Sequence, residues 1–368
     1  MDVRFQNNSL SVSYQNKNFQ LHPIWLRERL PGEEFFDVDT HQRLYEPSSI
    51  DLDLQISSAT LSDHLLNIEF NDGVKGSYNM NDLLLEMDDE KNKRGPLPKR
   101  VLWNSSLSQF PEAKFEEGMA EKKSMYDLLI NFYKYGFVII KNVPTENKYL
   151  LKFANSIGPV KNTNFGEYFD VMSKPNPNDL AYKPIALPPH TDNPYRKPTA
   201  PGIQFLHCLQ NEVSGGFSTL VDGFAVAEHI KTRDPEAFQS LTTTNLRYQF
   251  QDKDIVLENW GELIELDDDG DYKQVRYSTR VDYVPPLDTE KLNTFYRSRK
   301  LLSELYSASD FELKFKLQPG DIMMFDNHRL LHGRTAYDSN EGMRHLQGCY
   351  LEFDATDGKL RHLARKFQ

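Results

Sequence analysis

From residue 137 onward the chain is cut into short apolar runs of strand length, FVIIKNVP, FLHCLQ, DIMMFD and QGCYLEF among them, each closed by turn residues. Apolar runs this short, bounded by Gly, Pro, Asn and Asp, read as short strands alternating with turns, FVIIKNVP as a buried one. Two segments carry helical spacing instead. MYDLLINFYKYG (125–136) stops at Gly136, and TENKYLLKFANSIG (145–158) takes Thr145 as its N-cap and Gly158 as its stop. Further helices are expected near 224–242 and 288–306. Many strands with a few helices packed on them predict a mainly β fold with flanking helices, built on a sandwich or barrel.

The first ninety or so residues read separately. LLNIEF and VKGSYNM flank Asn71-Asp72-Gly73, and Asp-Gly is a strong hairpin turn. The polar, proline-containing DDEKNKRGPLPKR (88–100) then breaks the pattern as a linker. The expected division is a small β-rich N-terminal domain, 1–95, and a larger domain, 96–368.

A net charge of −11 argues against nucleic acid, which needs clustered Lys and Arg, and favours a small cationic substrate. No apolar run approaches the roughly 20 residues of a membrane span, and MDVRFQNNSL lacks the pattern of a signal peptide. The two cysteines, Cys208 and Cys349, each lie in an apolar run. They are expected as reduced, buried thiols of a cytoplasmic protein, with a disulfide between them left open.

The stretch PHTDNPYR (189–196) sets His190 and Asp192 two apart. Alternate residues of a strand share a face, so imidazole and carboxylate project together. Ten histidines and 54 acids in 368 residues give roughly 1.5 such pairs by chance, so the pair alone is weak. LQPGDIMMFDNHRLLHGR (317–334) adds weight, because a Pro-Gly turn and an apolar strand deliver His332 before Gly333 and Arg334. His190, Asp192 and His332 make a two-histidine, one-carboxylate set, suited to non-haem Fe(II) with positions open for a co-substrate and O2. His328 is the rival third ligand, ranked lower because the turn into Gly333 puts the mouth of the site at His332. Arg344, twelve residues on, is placed to return along the neighbouring strand and clamp a carboxylate bidentately.

The stretches LAYKPIALPPHTDNPYR, PGIQFLHCLQNEVSGGFSTLVDGFAV, PGDIMMFDNHRLLHGRTAY and RHLQGCYLEFD together resemble the γ-butyrobetaine and trimethyllysine dioxygenases, within the taurine-dioxygenase-like group. The resemblance spans about residues 120–368, and more faintly HPIWLRERLPG near the N-terminus. It implies a double-stranded β-helix (jelly-roll) catalytic core. Fe(II) would be held by His190, Asp192 and His332, with 2-oxoglutarate as co-substrate beside O2. Arg344 would take the far carboxylate of 2-oxoglutarate, assisted by the hydroxyl of Ser218. Leu206 would pack near that co-substrate, and Arg334 either supports the same region or ends its strand structurally. The implied reaction is decarboxylation of 2-oxoglutarate to succinate and CO2, coupled to hydroxylation of a substrate C–H bond.

The family's aromatic cage for a trimethylammonium group falls here on Phe165, Phe169, Tyr182 and Tyr350, and ring faces are the natural partners of a cation that cannot hydrogen-bond. Three departures stand out. The family's N-terminal zinc cysteines fall near Leu30, Gly32 and Phe35, so no zinc is expected. The Asn that meets the substrate carboxylate is Asp179, beside Asn178, which leans toward a trimethyllysine-type substrate. The paired Asn of the following strand is Ser278-Thr279, next to Arg280, a side chain able to neutralise Asp179 or bind an anionic tail.

The leading expectation is hydroxylation of a γ-butyrobetaine-like quaternary ammonium compound. Its alternatives are a trimethyllysine-type substrate, a phosphonate or sulfonium betaine analogue, and a non-catalytic protein that binds a cation or 2-oxoglutarate. A zinc hydrolase fits poorly, because no general base stands next to the His/Asp/His set. A homodimer is implied by the resemblance only.

Overall fold

The computed structural model describes residues 2–88, 95–172 and 183–367. The chain forms two compact units, Met1–Gly95 and Pro96–Gln368.

The first unit holds two antiparallel three-stranded sheets. One comprises β1 (Asp2–Gln6), β2 (Ser9–Tyr14) and β3 (Lys17–Leu21), and the other β4 (Ile56–Ser62), β5 (Leu65–Phe70) and β6 (Lys75–Asn79). Short helices α1 (Pro23–Arg27) and α2 (Met80–Glu86) accompany them. The turn between β5 and β6 is local chemistry: the Asp72 carboxylate accepts from Val74 N at 3.0 Å, and Gly73 takes φ +84°. At two of the positions compared with zinc cysteines, Leu30 and Phe35 join the unit's apolar core. The Arg27 guanidinium lies 4.7 Å from the Phe35 ring centre and 5.6 Å from that of Tyr45.

The second unit is a two-sheet sandwich. Its strands are β7 (Glu112–Lys114), β8 (Phe137–Lys141), β9 (Phe169–Val171), β10 (Leu187–His190), β11 (Ile203–Asn211) and β12 (Ser218–Asp222). An insert carries β13 (Leu246–Gln251), β14 (Val256–Gly261), β15 (Ile264–Leu266), β16 (Tyr272–Val275) and β17 (Asp282–Tyr283). The sandwich resumes with β18 (Glu312–Phe315), β19 (Ile322–Asp326), β20 (Leu330–Arg334) and β21 (Arg344–Leu351). One sheet runs β10-β20-β12-β18 and the other β7-β8-β19-β11-β21-β9. Leu220, Leu313 and Leu330 of the first pack against Phe137, Met323, Phe325 and Leu346 of the second.

The inner strands of the larger sheet, β8, β19, β11 and β21, are buried on both faces, which is why they read as nearly continuous apolar runs. Phe137 and Ile139 point into the sandwich, while Val138 and Ile140 point outward beneath α3 (Lys123–Tyr135), α4 (Tyr149–Ile157) and α8 (Phe353–Phe367). The two cysteines divide the same way, Cys208 inward and Cys349 outward, and both are free. Opposite faces of one sheet cannot share a disulfide, which closes the pairing left open above.

Some expectations need correction. Helix α4 starts four residues after Thr145, behind Lys148 in the left-handed region and without a side-chain cap. Gly158 ends it in an extended conformation, and a Cβ there would meet Ala355 Cβ at 2.4 Å, so close packing explains this glycine. The segment near 224–242 is two helices, α5 (Gly223–Arg233) and α6 (Pro235–Thr243), with Asp234 capping the second at Ala237 N. Helix α7 (Thr289–Tyr306) lies close to its expected span. Helix α8 was not anticipated, although Leu360, Leu363 and Ala364 carry its buried face. No helix among the described residues is long and apolar enough to cross a membrane.

Candidate active site

The site is assembled between the two sheets. His190 ends β10 and stands in register with His332 on β20, their ring centres 4.4 Å apart. Asp192 lies beyond the strand end, so alternation along a strand does not place it, contrary to the expectation above. The side chain of Asn327 does. This fully buried amide, in the turn between β19 and β20, accepts from Asp192 N at 2.8 Å. It donates to Asp192 O at 3.0 Å and to Pro201 O at 2.9 Å.

Ligand atoms of His190, Asp192 and His332 all lie within 4.8 Å of one another. Both Nε2 atoms face the same carboxylate oxygen, Asp192 Oδ1, at 3.5 Å from His190 and 3.9 Å from His332. His190 Nδ1 donates to Pro188 O at 2.9 Å, which orients the ring and turns Nε2 toward the site. Burial, then the neighbouring His190, pushes His332 down to about 3, so it is neutral near pH 7. Burial alone would raise the Asp192 carboxyl, but its contacts with His332 and His190 and the hydrogen bond from the Tyr350 hydroxyl outweigh burial and hold it below its ordinary value. Two imidazoles and one carboxylate are the donor set of non-haem Fe(II) sites that keep positions open. His328 is outside this set: its Nε2 lies 2.8 Å from Ala200 O and its ring packs on Phe353.

A cavity of about 410 Å³ opens onto these donors. Arg344 and Leu206 line it from the six-stranded sheet, and Ser218 and Arg334 line it from the four-stranded one, paired in register. Arg344 is therefore not on a strand neighbouring His332, as its spacing suggested. It comes from the facing sheet, because the chain crosses the sandwich between β20 and β21. Burial, then the charge of Arg334, lowers Arg344 to about 10, and it stays cationic near pH 7. Its Nε donates to Gly216 O at 3.3 Å, and its Nη1 is buried without a partner among the described residues. Gly216 sits at φ +68°, and a Cβ there would come within 2.8 Å of Arg344 Nε, so only glycine fits. Arg334 donates to Lys183 O at 2.6 Å and Ile185 O at 3.1 Å, which ties its strand to the segment leading into β10.

The remaining wall is aromatic. Phe169 lies over Gly348, where a Cβ would meet its ring at 2.4 Å, and its ring centre is 5.3 Å from that of Tyr350. Phe165 lines the cavity and packs edge-on against Phe250. Tyr350 also does something the sequence did not indicate: its hydroxyl donates to Asp192 Oδ2 at 2.8 Å. Ser278 is buried at the cavity, and exposed Arg280 borders it with no hydrogen bond or ion pair among the described residues. Tyr182, Asp179 and Asn178 lie outside the described residues. Sequence reasoning also missed Tyr195 and Phe250, which stack at 4.9 Å and line the cavity, as well as Asn327 and Gln204. For Gln204 the signal was a single amide inside an apolar stretch.

The family described as "Taurine catabolism dioxygenase TauD, TfdA family" matches residues 105–350. The chain is 30% identical over 349 residues to the gamma-butyrobetaine dioxygenase of Pseudomonas sp. (strain AK-1), covering 94% of this chain and 90% of that protein. It is 29% identical over 359 residues to the mitochondrial trimethyllysine dioxygenase of Bos taurus, covering 93% and 82%. Among solved structures, AAD-2 in complex with Mn(II) and N-oxalylglycine superposes with a TM-score of 0.52 at 12% identity, over 69% of this chain and 97% of that one, a likeness of fold. The matched span contains the whole His/Asp/His set and Arg344, and the chain belongs to the taurine catabolism dioxygenase TauD, TfdA family.

Proposed function

We propose that the protein is an Fe(II)- and 2-oxoglutarate-dependent hydroxylase of a small quaternary ammonium compound of the γ-butyrobetaine kind. The observation that carries the reading is one cavity holding three things: the His190/Asp192/His332 donor set, a buried arginine with an unpartnered Nη1, and a wall of aromatic rings. The donor set fits Fe(II), and the unsatisfied guanidinium fits a carboxylate. When bound, iron with 2-oxoglutarate and O2 supplies the oxidation, in which the co-substrate becomes succinate and CO2 and a substrate C–H becomes C–OH.

The chain's own residues bind, orient and exclude water. His190 and His332 offer their Nε2 atoms, and Tyr350 fixes the carboxylate of Asp192 by holding its second oxygen. Arg344, with Ser218 nearby, receives the distal carboxylate of the co-substrate. Phe165, Phe169 and Tyr350 present ring faces to a trimethylammonium group, which no hydrogen bond could recognise. Arg280, at the cavity edge, meets an anionic tail.

A trimethyllysine-type substrate is the second reading, supported by the comparable identity to both kinds of relative. An anaerobic optical titration with Fe(II), 2-oxoglutarate and a panel of quaternary ammonium compounds tests both. A metal-to-ligand band that one panel member perturbs is the expected result and names the substrate class. A band that no cation perturbs overturns the aromatic cage, and no band at all overturns the oxygenase reading.

A further inference from the structure

Strand β9 is three residues long and lies at the edge of the six-stranded sheet, paired with β21 alone among the described strands. An edge strand this short has few ladder hydrogen bonds to hold it. It nevertheless carries Phe169, whose ring covers Gly348 and forms part of the aromatic wall of the cavity. The side chain that secures it lies on the other face of the sheet.

Asp170 follows Phe169 along the strand and therefore points away from the cavity. Its Oδ1 accepts from His345 Nε2 at 2.7 Å and from Gln347 Nε2 at 2.9 Å, both on the outer face of β21. Gln347 is 1% exposed and is itself fixed. Its Nε2 also donates to Asn147 Oδ1 at 2.8 Å, and its Oε1 accepts from Lys148 N at 2.8 Å. The anchor is thus built into β21 and into the loop before α4, and Asp170 extends it to β9. Removing that carboxylate strands one N–H of a buried amide, a cost borne only when β9 is docked.

Strand β21 does not depend on this latch, because β11 pairs with it from Ile203 to Asn211. Arg344 and Tyr350, which β21 turns into the cavity, therefore keep their places when β9 is loosened. The metal donors stand apart from β9 as well, His190 and His332 on the other sheet and Asp192 held by Asn327.

We propose that Asp170 is a positioning residue for the organic substrate: from the outer face it latches β9 to β21 and so holds the Phe169 ring at the cavity. It touches neither substrate nor co-substrate. This deepens the quaternary ammonium reading above and rests on it.

The test compares wild type with Asp170→Ala, Asp170→Asn, Phe169→Ala and the double variant of Phe169→Ala with Asp170→Ala. Each protein is loaded with Fe(II) under anaerobic conditions and titrated with 2-oxoglutarate, with Kd read from the visible band. A second titration uses γ-butyrobetaine or, if that leaves the wild-type band unmoved, trimethyllysine. Asp170→Ala is expected to bind the cation about tenfold more weakly, with the 2-oxoglutarate Kd within about twofold of wild type. Asp170→Asn keeps an acceptor oxygen without the charge and should fall between. Adding Asp170→Ala to Phe169→Ala should cost no further affinity, because the carboxylate acts through that ring. A cation Kd unchanged in Asp170→Ala overturns the assignment. So do additive losses in the double variant, and so does an equal loss of 2-oxoglutarate binding, which would make the latch a general structural support. If Asp170→Ala does not fold, Asp170→Asn is held to the same criteria. If neither cation moves the wild-type band, the quaternary ammonium reading fails first and the inference falls with it.

Discussion

Replacing Tyr350 by Phe would remove one oxygen atom from the centre of the site and leave the ring. The hydroxyl lost is the one that donates to Asp192 Oδ2 at 2.8 Å. Burial, then the charge of Asp192, raises the phenol well above its ordinary value, so it stays protonated and remains a donor across the working pH range. A hydrogen bond to a charged acceptor contributes about 1.5–3 kcal/mol. Asp192 also keeps its backbone clamps to Asn327, so it stays in place but loses the contact that fixes its rotation. At about 1.4 kcal/mol per tenfold, Fe(II) affinity should fall roughly ten- to 150-fold, in line with the about 10–100-fold typical of outer partners of metal ligands. Competition for Fe(II) against a chromogenic chelator measures this directly. Ring packing against Phe169 survives the change, so the KM for a quaternary ammonium substrate, measured at saturating iron, should move little. Tyr350→Leu, which also removes the ring, should raise that KM. An Fe(II) Kd for Tyr350→Phe within about twofold of wild type would refute the claim that this hydroxyl orients the carboxylate.

Asn327→Ala should strand Asp192 N, Asp192 O and Pro201 O. At about 1 kcal/mol per hydrogen bond it should lose about 3 kcal/mol in urea unfolding, and weaken Fe(II) binding with no donor atom altered. Arg329 and Asp222 form a buried pair, with Arg329 Nη2 at 2.6 Å from Asp222 Oδ2, so Arg329→Ala should cost about 3–5 kcal/mol. The double variant Arg329→Met with Asp222→Asn should recover part of that loss, and a double-mutant cycle reads the difference. His207 is fully buried with neither ring nitrogen partnered among the described residues, and burial lowers it from 6.5 to about 4. Because the unfolded chain takes up the proton first, stability is complete above pH 6.5 and is lost as pH falls from there to about 4. The loss should be on the order of 3 kcal/mol, and His207→Leu should flatten that stretch of the pH–stability curve.

What the sequence determined by itself is whatever a few neighbouring residues decide. The Asp72-Gly73 turn, the helix ending at Gly136 and the alternation of Phe137 and Ile139 against Val138 and Ile140 follow from turn chemistry and from side-chain periods of 3.6 and 2. The residue types at the site were legible too, because two histidines, an acid and an arginine in apolar surroundings announce chemistry before any geometry. Only the tertiary structure decided how they meet. Strand β10 ends at His190, and Asp192 is set by an amide 135 residues away. Arg344 enters from the sheet opposite His332, and the Tyr350 hydroxyl turns to the carboxylate. Gln204 becomes neighbour to both Tyr350 and Phe325. The reason is that strand order in a sandwich is chosen by hydrogen bonds and burial between residues far apart in the chain. No local window of sequence contains both partners of such a bond.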